Sequence, residues 1–503
     1  MTPEKKQPSD RAPSPPQKHE PVIGEIVNIE KPFTVWSAMA IGASTTNTAV
    51  GIILTLGGIT AGGGTVTLFW GFLLMAFVGL ACAISLSELA SAIPDAGGQY
   101  VWVATLSPPG PRRFLSYTTA LFSWAGAVCT GASVCVVGPA LLFDLGSLLN
   151  PDFQRGRWEG FAAYHATNLI TLGLSVFEHL LPRFTKGILT FTFGILVAFF
   201  IGLFAASDDR RSGKAVFTEF SNVTGWSDGV AFFIGLNGLN WGFSCLDAIV
   251  HIAEEIPQPR VNVPKALMLT IAVGFVTGLP IVLAFAFNMT NFETETSAMT
   301  TMYEAFGQSK AAATGYQIVL FISAVGAMWG IHVWQSRLAW TIGMNQGFPF
   351  AKYLSKVHGA PFHTPLWALL WSASFTGLLS FVYVASETAF NSLVSAGILL
   401  QYGSYAIPIV LLLIRGRSQF GHGPFWYPRL GLVANIIFLC WAPVALVFYS
   451  LPYTLPAMAG DMNYVSVVLV IILLLVTTFW YVFARKTFSY PELGSSRCVI
   501  DAI

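Results

Sequence analysis

Asp247 is the side chain whose type and position most clearly suggest chemistry. It follows the glycine- and asparagine-rich stretch 235–244 within a segment of mostly apolar residues. A carboxylate at membrane depth is costly without a partner, so such a residue is a functional candidate. We predict that Asp247 binds and releases a proton; the alternative is a carboxylate that pairs with a donor from a packed helix.

An indole ring, that of Trp241, lies six residues before Asp247. The face of an indole attracts ammonium and trimethylammonium groups. Trp329 and Trp334 could add walls to the same site, although most of the 15 Trp and 40 Phe residues must fill gaps between helices or face lipid. Trp241 is therefore the aromatic residue that we predict to contact an amine.

Two polar runs, 41–48 and 235–244, interrupt otherwise apolar segments. Unwound backbone can hold a carboxylate, an ammonium or an ion where protein or water shields it from lipid. The alternative is a pair of glycine-packed helix crossings. The residues predicted to bind a small molecule at these runs are Gly42, Ala43, Ser44, Trp241, Gly242, Phe243 and Ser244.

Other ionisable residues lie in or near apolar segments, and we do not predict them to belong to the site. His251 lies at the end of the sixth span, where we expect either a salt bridge at a gate or contact with solvent. His332 can satisfy a local hydrogen bond. Glu88 is expected at the membrane interface, and Glu178 is a weak candidate on its own.

Membrane helices must position these residues. The chain has 503 residues, of which 54% are hydrophobic and 10% charged, whereas soluble domains have roughly one-quarter charged residues. Apolar windows of about 20 residues, enough to cross a bilayer, recur along the chain. The sequence predicts an all-α polytopic membrane protein with twelve spans, near 33–56, 66–90, 114–143, 160–181, 187–206, 229–251, 265–287, 312–337, 365–386, 391–414, 430–451 and 463–484.

Lys and Arg residues collect in alternate loops of this topology. Of the 26 in the chain, twenty fall on the side shared with both chain ends and six on the other. Cytoplasmic loops are the ones enriched in Lys and Arg. We therefore predict cytoplasmic termini and a plasma-membrane location, with a disordered tail at 1–31, a transmembrane domain at 32–485 and a short tail at 486–503.

Two sequons, Asn222-Val-Thr and Asn288-Met-Thr, fall in loops on the opposite, outer side. N-glycosylation acceptors are expected on that side. Asn222 and Asn288 are therefore predicted glycosylation sites, with Asn288 the weaker because it lies close to the membrane.

Several classes of function are disfavoured. The net charge is +1, and no basic cluster is interleaved with exposed aromatic residues, so no nucleic-acid partner is predicted. The cysteines form no disulfide framework or zinc spacing, and no acid-base or metal constellation suggests an enzyme, so no metal or cofactor is predicted. Twelve spans with interruptions in the first and sixth favour a carrier over a channel, because matching interruptions in two halves mark the binding site of many transporters.

Two stretches resemble a known family. They are Ser87-Glu-Leu-Ala-Ser-Ala-Ile-Pro-Asp-Ala-Gly-Gly-Gln-Tyr100 and the segment 244–265, with its double acid and proline-bearing turn. They are similar to the amino acid–polyamine–organocation superfamily, and within it to the fungal amino acid, GABA and choline permeases. The resemblance covers residues of about 33 to 485.

The resemblance implies a five-plus-five inverted repeat followed by two further helices, and alternating access that is commonly driven by protons. It places Gly42, Ala43 and Ser44 at the first-helix break, and Asp247 where bacterial relatives have a proton-sensing acid. The run Gly-Ala-Ser departs from the Gly-Ser-Gly that often holds a substrate carboxylate. The expected function is therefore secondary transport of an amino acid or related small amine, with choline, another quaternary amine or a polyamine as the alternative cargo, and a transporter-like nutrient sensor as the alternative class.

Overall fold

The computed structural model describes residues 33–490 except 178–179, 208–209, 290–296, 360–361, 363 and 459–461. The predicted tail 1–31, most of the predicted tail 486–503 and Glu178 lie outside the described residues. Within the described ranges the chain is helical and forms no named strand, only an isolated bridge between Gly62 and Asn222.

The helices follow one another with short connections. In chain order they are α1 Val35–Thr46, α2 Thr48–Leu54, α3 Leu56–Ala61, α4 Gly64–Ala92, α5 Gln99–Leu106, α6 Arg112–Leu149, α7 Arg157–Ser175, α8 Leu181–Ala206, α9 Gly213–Thr218, α10 Asp228–Trp241, a 3-10 helix Leu246–Glu255, α11 Pro259–Asn288, α12 Ala298–Ala305, α13 Lys310–Met344, α14 Ala351–Leu354, α15 Leu366–Ala385, α16 Glu387–Arg415, a 3-10 turn Arg417–Gln419, α17 Pro428–Phe448, α18 Val465–Phe479, a π-helical turn Trp480–Ala484 and α19 Arg485–Thr487.

Eleven of the described helices or helix pairs are long and apolar enough to cross a membrane, and they match eleven of the twelve predicted spans. The remaining prediction, 160–181, coincides with α7, which has 19 residues but is not among these eleven. A helix of that length rises about 28 Å, close to the thickness of a bilayer core. Because Arg157, Glu159 and His165 dilute its apolar composition, α7 carries a weaker membrane signal than the other spans.

The helix neighbours repeat between the first five spans and the next five. Span 2 (α4) packs on span 7 (α11), and span 3 (α6) packs on span 8 (α13). Span 3 also contacts span 9 (α15), and span 8 contacts span 4 (α7), so each contact has its counterpart in the other half. This pairing is the one expected of the predicted five-plus-five repeat, with α17 and α18 as the two additional helices.

One face of the bundle gathers the end of α4, the start of α6, the end of α13 and the end of the described chain. Arg113, at the start of α6, donates to the carbonyl oxygens of Phe488 at 2.6 Å and Arg485 at 3.1 Å. The amide of Ser489 donates to the carbonyl of Asn345 at 2.9 Å. We call this face the inner face and the opposite one the outer face.

Candidate functional site

The first span is interrupted at Asn47. Its φ of 44° places it in the left-handed region between α1 and α2, which few residues other than glycine adopt and asparagine tolerates comparatively well. The Asn47 side-chain amide donates to the Ser323 hydroxyl of α13 at 3.0 Å. This hydrogen bond ties the break in span 1 to span 8.

The prediction that Gly42, Ala43 and Ser44 form this break was wrong. All three are buried inside the regular helix α1. A Cβ on Gly42 would lie 2.3 Å from Cδ1 of Ile249, so this glycine permits close packing of α1 on the 3-10 helix of span 6. The polar run predicted that span 1 is interrupted. Which residue leaves the helical conformation depends on tertiary contacts, such as the hydrogen bond from Asn47 to Ser323.

Span 6 is also interrupted, and its break lies where the sequence predicts. α10 ends at Trp241, Gly242 and Phe243 form a turn, and Cys245 has a left-handed φ of 65° before the 3-10 helix begins. Gly242 lies against α2, where a Cβ on it would come 3.0 Å from the carbonyl oxygen of Thr48. The two breaks therefore touch each other.

A cavity lies where the two breaks meet. It extends from the ends of α1 and α10 towards the outer face, between α2, α6 and α13. Its lining residues are Thr45, Thr46, Asn47, Val50, Gly51, Leu54, Thr130, Val134, Val137, Trp241, Ser244, Cys245, Ala324, Ala327 and Ile331. None of these is charged, so the lining as described presents hydroxyls, an amide, an indole and aliphatic groups to a ligand.

Hydroxyl groups provide most of the polar lining. Thr45 and Thr46 are 5% and 6% exposed, and neither hydroxyl has a hydrogen-bond partner within the described structure. Buried polar groups are normally paired, so two unpaired hydroxyls at one cavity point to a polar ligand or water there. The Ser244 hydroxyl donates to the carbonyl of Trp241 at 2.7 Å and keeps its acceptor lone pairs.

The backbone amides of the span 6 break all have acceptors inside the protein. Gly242 and Phe243 donate to the carbonyl of Asn240, and Ser244 donates to that of Trp241. The amide of Cys245 donates to Oε1 of Gln401 at 3.0 Å. A substrate carboxylate at this break would therefore have to displace an existing hydrogen bond.

Asp247 lies just beyond the break on the inner side, fully buried, and its carboxylate collects four polar contacts. Tyr405 donates to Oδ1 at 2.6 Å, and Oδ2 accepts from Gln99 at 2.8 Å and from Ser123 at 3.3 Å. Nε2 of His251 lies 3.1 Å from Oδ2. The structure thus brings residues of α5, α6 and α16 together with the 3-10 helix of span 6, four segments in all, around the acid that the sequence singled out.

A chain of hydrogen bonds joins this acid to the cavity. Gln401 donates to the Thr130 hydroxyl at 2.9 Å and accepts from the Cys245 amide, both at the cavity wall. Tyr405, one turn later on α16, lies 3.4 Å from Oε1 of Gln401 and 2.6 Å from Asp247. Two residues of α16 therefore connect the site lining to the buried carboxylate.

Ion pairs close the inner side of the bundle. Arg337 of α13 contacts Glu255 at 2.9 Å, at the end of the 3-10 helix of span 6. Glu88, predicted to be interfacial, is fully buried at the end of α4 and pairs with Arg417 at 2.9 Å. The first pair joins span 6 to span 8, and the second joins span 2 to the turn that follows span 10.

Four other residues considered from the sequence lie away from the cavity lining. Phe243 packs on Phe72 of α4, with ring centroids 5.6 Å apart. Trp329 packs on Phe184 at 4.6 Å, and Nε2 of His332 lies 3.3 Å from the carbonyl of Asn168. Trp334 is buried within α13. Of the seven predicted binding residues, Trp241 and Ser244 reach the cavity.

The two sequon asparagines differ in exposure. Asn222 is partly exposed, and its Nδ2 donates to the carbonyl of Trp226 and to Asp228. Asn288 is 4% exposed, and its Nδ2 donates to the carbonyl of Ala284 at 2.8 Å. The packing around Asn288 argues against a glycan there, whereas Asn222 keeps one N–H for Trp226 if the other is replaced by a glycan.

Sequence reasoning missed Gln99, Ser123, Thr130, Gln401 and Tyr405. Each is a polar residue within or beside an apolar segment, and buried polar groups in such segments usually have partners. That signal could have marked them as members of a polar network. It could not have shown that all five converge on the break in span 6.

The comparisons with known proteins agree with this architecture. A family model described as amino acid permease matches residues 33–476. The transmembrane transporter swnT of Metarhizium robertsii is 50% identical over 468 residues, covering 93% of this chain and 94% of the relative. The swainsonine transporter swnT of Arthroderma benhamiae is 47% identical, with the same coverage. The choline transporter of Saccharomyces cerevisiae is 33% identical over 478 residues, covering 93% of this chain and 84% of the relative.

Proposed function

This chain belongs to the amino acid permease family and is a membrane transporter, and we propose that its cargo is a hydroxylated amine cation. Transport would proceed by alternating access between the outer and inner faces. The proposal selects, from the cargoes that the sequence leaves open, an amine without a carboxylate over an α-amino acid.

The composition of the cavity lining is the observation that carries this choice. An indole face at Trp241 attracts an ammonium group, with an energy of about 0.5–2 kcal/mol depending on how far it is desolvated. The carboxyl-terminal ends of α1 and α10 both reach the cavity, and helix C-termini carry partial negative charge that favours a cation. The unpaired hydroxyls of Thr45 and Thr46 can bond the hydroxyls of such an amine.

The relatives give independent support. Choline and swainsonine, which name two of them, are both amines that carry hydroxyl groups and no carboxylate. A zwitterionic amino acid would also need donors for its carboxylate. The lining offers no cationic side chain for that purpose, and the amides of the span 6 break are already engaged.

We propose that transport is coupled to protons through Asp247. A buried carboxylate with a histidine neighbour can exchange a proton as its access to water changes. The inner face is proposed to be cytoplasmic, in agreement with the distribution of Lys and Arg, and the plasma membrane is the proposed location.

Uptake by a permease-deficient fungal cell that expresses the full chain tests this proposal. Radiolabelled choline is the probe, with unlabelled swainsonine, GABA, lysine and proline as competitors at two external pH values. We expect choline uptake, competition by swainsonine and greater accumulation at the lower pH. Uptake of an amino acid with no effect of either amine would overturn the cargo assignment.

Counterflow in vesicles distinguishes transport from sensing and from a channel. Unlabelled choline inside the vesicle should accelerate entry of labelled choline, because a carrier that has bound substrate reorients across the membrane faster than an empty carrier. A sensor that binds without transport shows no such acceleration, and neither does a channel.

A further inference from the structure

We propose that Asp247 and His251 share a single proton, and that this proton keeps the loop 93–99 latched over the inner side of the site. The inference deepens the proposed proton coupling and rests on it. It assigns a proton-holding role to His251, which the sequence alone did not place in the site.

The hydrogen bonds of His251 fix where its protons lie. Nδ1 is 2.7 Å from the carbonyl oxygen of Ala96. A carbonyl oxygen can only accept, so Nδ1 must carry a hydrogen. The other ring nitrogen, Nε2, faces Oδ2 of Asp247 at 3.1 Å.

That geometry requires one more proton between the two residues. If Nε2 and the carboxylate were both unprotonated, two lone pairs would face each other across 3.1 Å with no hydrogen between them. One proton removes this repulsion, whether it resides on the imidazole or on the carboxylate, and the pair is neutral overall in both cases.

The same two residues hold the loop 93–99 in place. Ala96 accepts from Nδ1 of His251, and Gln99 donates to Oδ2 of Asp247 at 2.8 Å. Gly98 between them has a φ of 54°, and a Cβ on it would come 3.1 Å from Cε1 of His251. Glycine therefore lets the loop lie directly against the imidazole ring.

Other titratable groups around the pair do not supply this proton at neutral pH. Cys82 of α4, Tyr405 of α16 and Cys245 face the carboxylate, and thiols and phenols are ordinarily neutral at pH 7. α1 carries no titratable side chain. Charged groups at the inner ends of the elements packed here include Glu88 of α4, Asp95 of the loop, Arg112 and Arg113 of α6, Glu254 and Glu255 of the same helix, Arg260 and Lys265 of α11, Arg337 of α13 and Arg415 of α16.

Several of these charged groups have contacts of their own. Arg337 pairs with Glu255, and Arg260 donates to the carbonyl of Ala92 at 3.1 Å. Asp95 accepts from the amide of Gly97 at 2.7 Å, within the loop itself.

Loss of the shared proton would release the latch. The deprotonated pair carries one negative charge, and repulsion between Nε2 and Oδ2 favours separation of the two side chains. His251 then withdraws from Ala96, or Asp247 from Gln99, and either movement frees the loop. The proton passes to water that enters from the inner face, so opening of that face and proton release are a single event.

Hydrogen–deuterium exchange on the purified full chain in lipid nanodiscs tests the latch without any substrate. Protection of peptides covering 93–100 is measured from pH 5.5 to 8.5, with a peptide covering 345–350 on the same face correcting for intrinsic exchange. As the pH rises and the shared proton is lost, we expect protection to fall by about tenfold per pH unit, as for an opening linked to one proton. A native loop whose protection is independent of pH overturns the inference.

His251→Asn separates the proton from the hydrogen bond to Ala96. Its amide can still donate to that carbonyl but cannot hold the shared proton, so we expect protection that no longer titrates. His332→Asn makes the same change at another fully buried histidine and should titrate as the native chain does. Equal titration in His251→Asn and the native chain overturns the assignment, whereas failed choline uptake would count only against the proposed cargo.

Discussion

Tyr405 has two acceptors within reach and one hydrogen to donate. Its hydroxyl lies 2.6 Å from Asp247 and 3.4 Å from Gln401. When Asp247 is ionised, the bond to the carboxylate is the stronger, since bonds to charged groups are roughly twice as strong as neutral ones. When Asp247 is protonated, Gln401 competes with it as the acceptor of the Tyr405 hydrogen bond. Because Gln401 also bonds Thr130 and Cys245, a shift of that hydrogen bond would alter the cavity wall.

Removal of this hydroxyl tests its part in coupling. Tyr405→Phe should lower the free energy of unfolding by about 1.5–3 kcal/mol, the usual value of a hydrogen bond to a charged group. It should reduce pH-driven choline accumulation more than counterflow exchange. Tyr402→Phe, one turn earlier in the chain and bonded to Asn240 instead, is the matched control. Equal losses of accumulation and exchange in Tyr405→Phe would contradict a role in coupling.

Trp241 offers a second test at a single residue. Replacement by leucine removes the aromatic face and should raise the KM for choline by about twofold to thirtyfold, as expected from a cation–π energy of about 0.5–2 kcal/mol. Trp241→Phe should retain part of the affinity. An unchanged KM in Trp241→Leu would show that the indole does not contact the cation.

The break in span 1 depends on one left-handed residue and one hydrogen bond. Asn47 supplies both, because its backbone turns the chain and its side chain bonds Ser323 of span 8. The Ser323 hydroxyl is also 3.1 Å from that of Thr192 in span 5. Three spans are therefore linked at the depth of the break.

Substitutions of Asn47 separate these two contributions. Asn47→Gly keeps the left-handed backbone and loses only the side-chain bond, whereas Asn47→Ala loses the bond and adds backbone strain of about 1–2 kcal/mol. We expect Asn47→Ala to unfold at a lower temperature than Asn47→Gly, with the native chain highest. If Asn47→Ala is at least as stable as Asn47→Gly, the break is not held in the left-handed conformation.

Across the whole molecule, the inner face is closed by ion pairs and the outer face by packed loops. On the outer side, Trp226 donates to the carbonyl of Pro452 at 2.9 Å, and the Leu455 amide donates to that of Thr224 at 2.7 Å. On the inner side, Arg337 and Glu255 join span 8 to span 6. Under the proposed alternating access, these contacts would form and break in turn.

Neutralisation of Glu255 should shift the equilibrium between the closed and open inner face towards the open one. Glu255→Gln removes the carboxylate that Arg337 contacts at 2.9 Å, a loss of about 1.5–3 kcal/mol for the conformation that forms this pair. We expect the inner face to open more often, seen as faster alkylation of a cysteine that replaces the buried Ala96 on the inner loop. Glu304→Gln, at the end of α12, is the matched control and should leave the alkylation rate unchanged. A slower rate in Glu255→Gln would contradict a closing role for the pair.

The membrane orientation predicts which sequon is used. If the inner face is cytoplasmic, Asn222 lies outside the cell, and glycosidase treatment should lower the apparent mass of the native chain. Asn222→Gln should abolish this shift, whereas Asn288→Gln should preserve it because Asn288 is buried. A shift that survives in Asn222→Gln would contradict this assignment.

The sequence by itself determined the class of protein and most of its helices. Long apolar windows must be helical in a bilayer because every backbone polar group there needs a partner within its own segment. Hydropathy therefore located eleven of the spans, and the low charge content excluded a soluble fold. The position of Asp247 and the break after Trp241 followed from polar residues placed where apolar ones are expected.

The tertiary structure alone decided where span 1 turns and which residues meet. Asn47 rather than Gly42 to Ser44 forms the break, because its side chain finds Ser323 more than 270 positions away. Gln99 and His251 both reach Oδ2 of Asp247, and only His251 is on the same helix. Contacts between distant segments depend on how the helices pack, and the residue pattern of one segment does not specify which other segments it contacts.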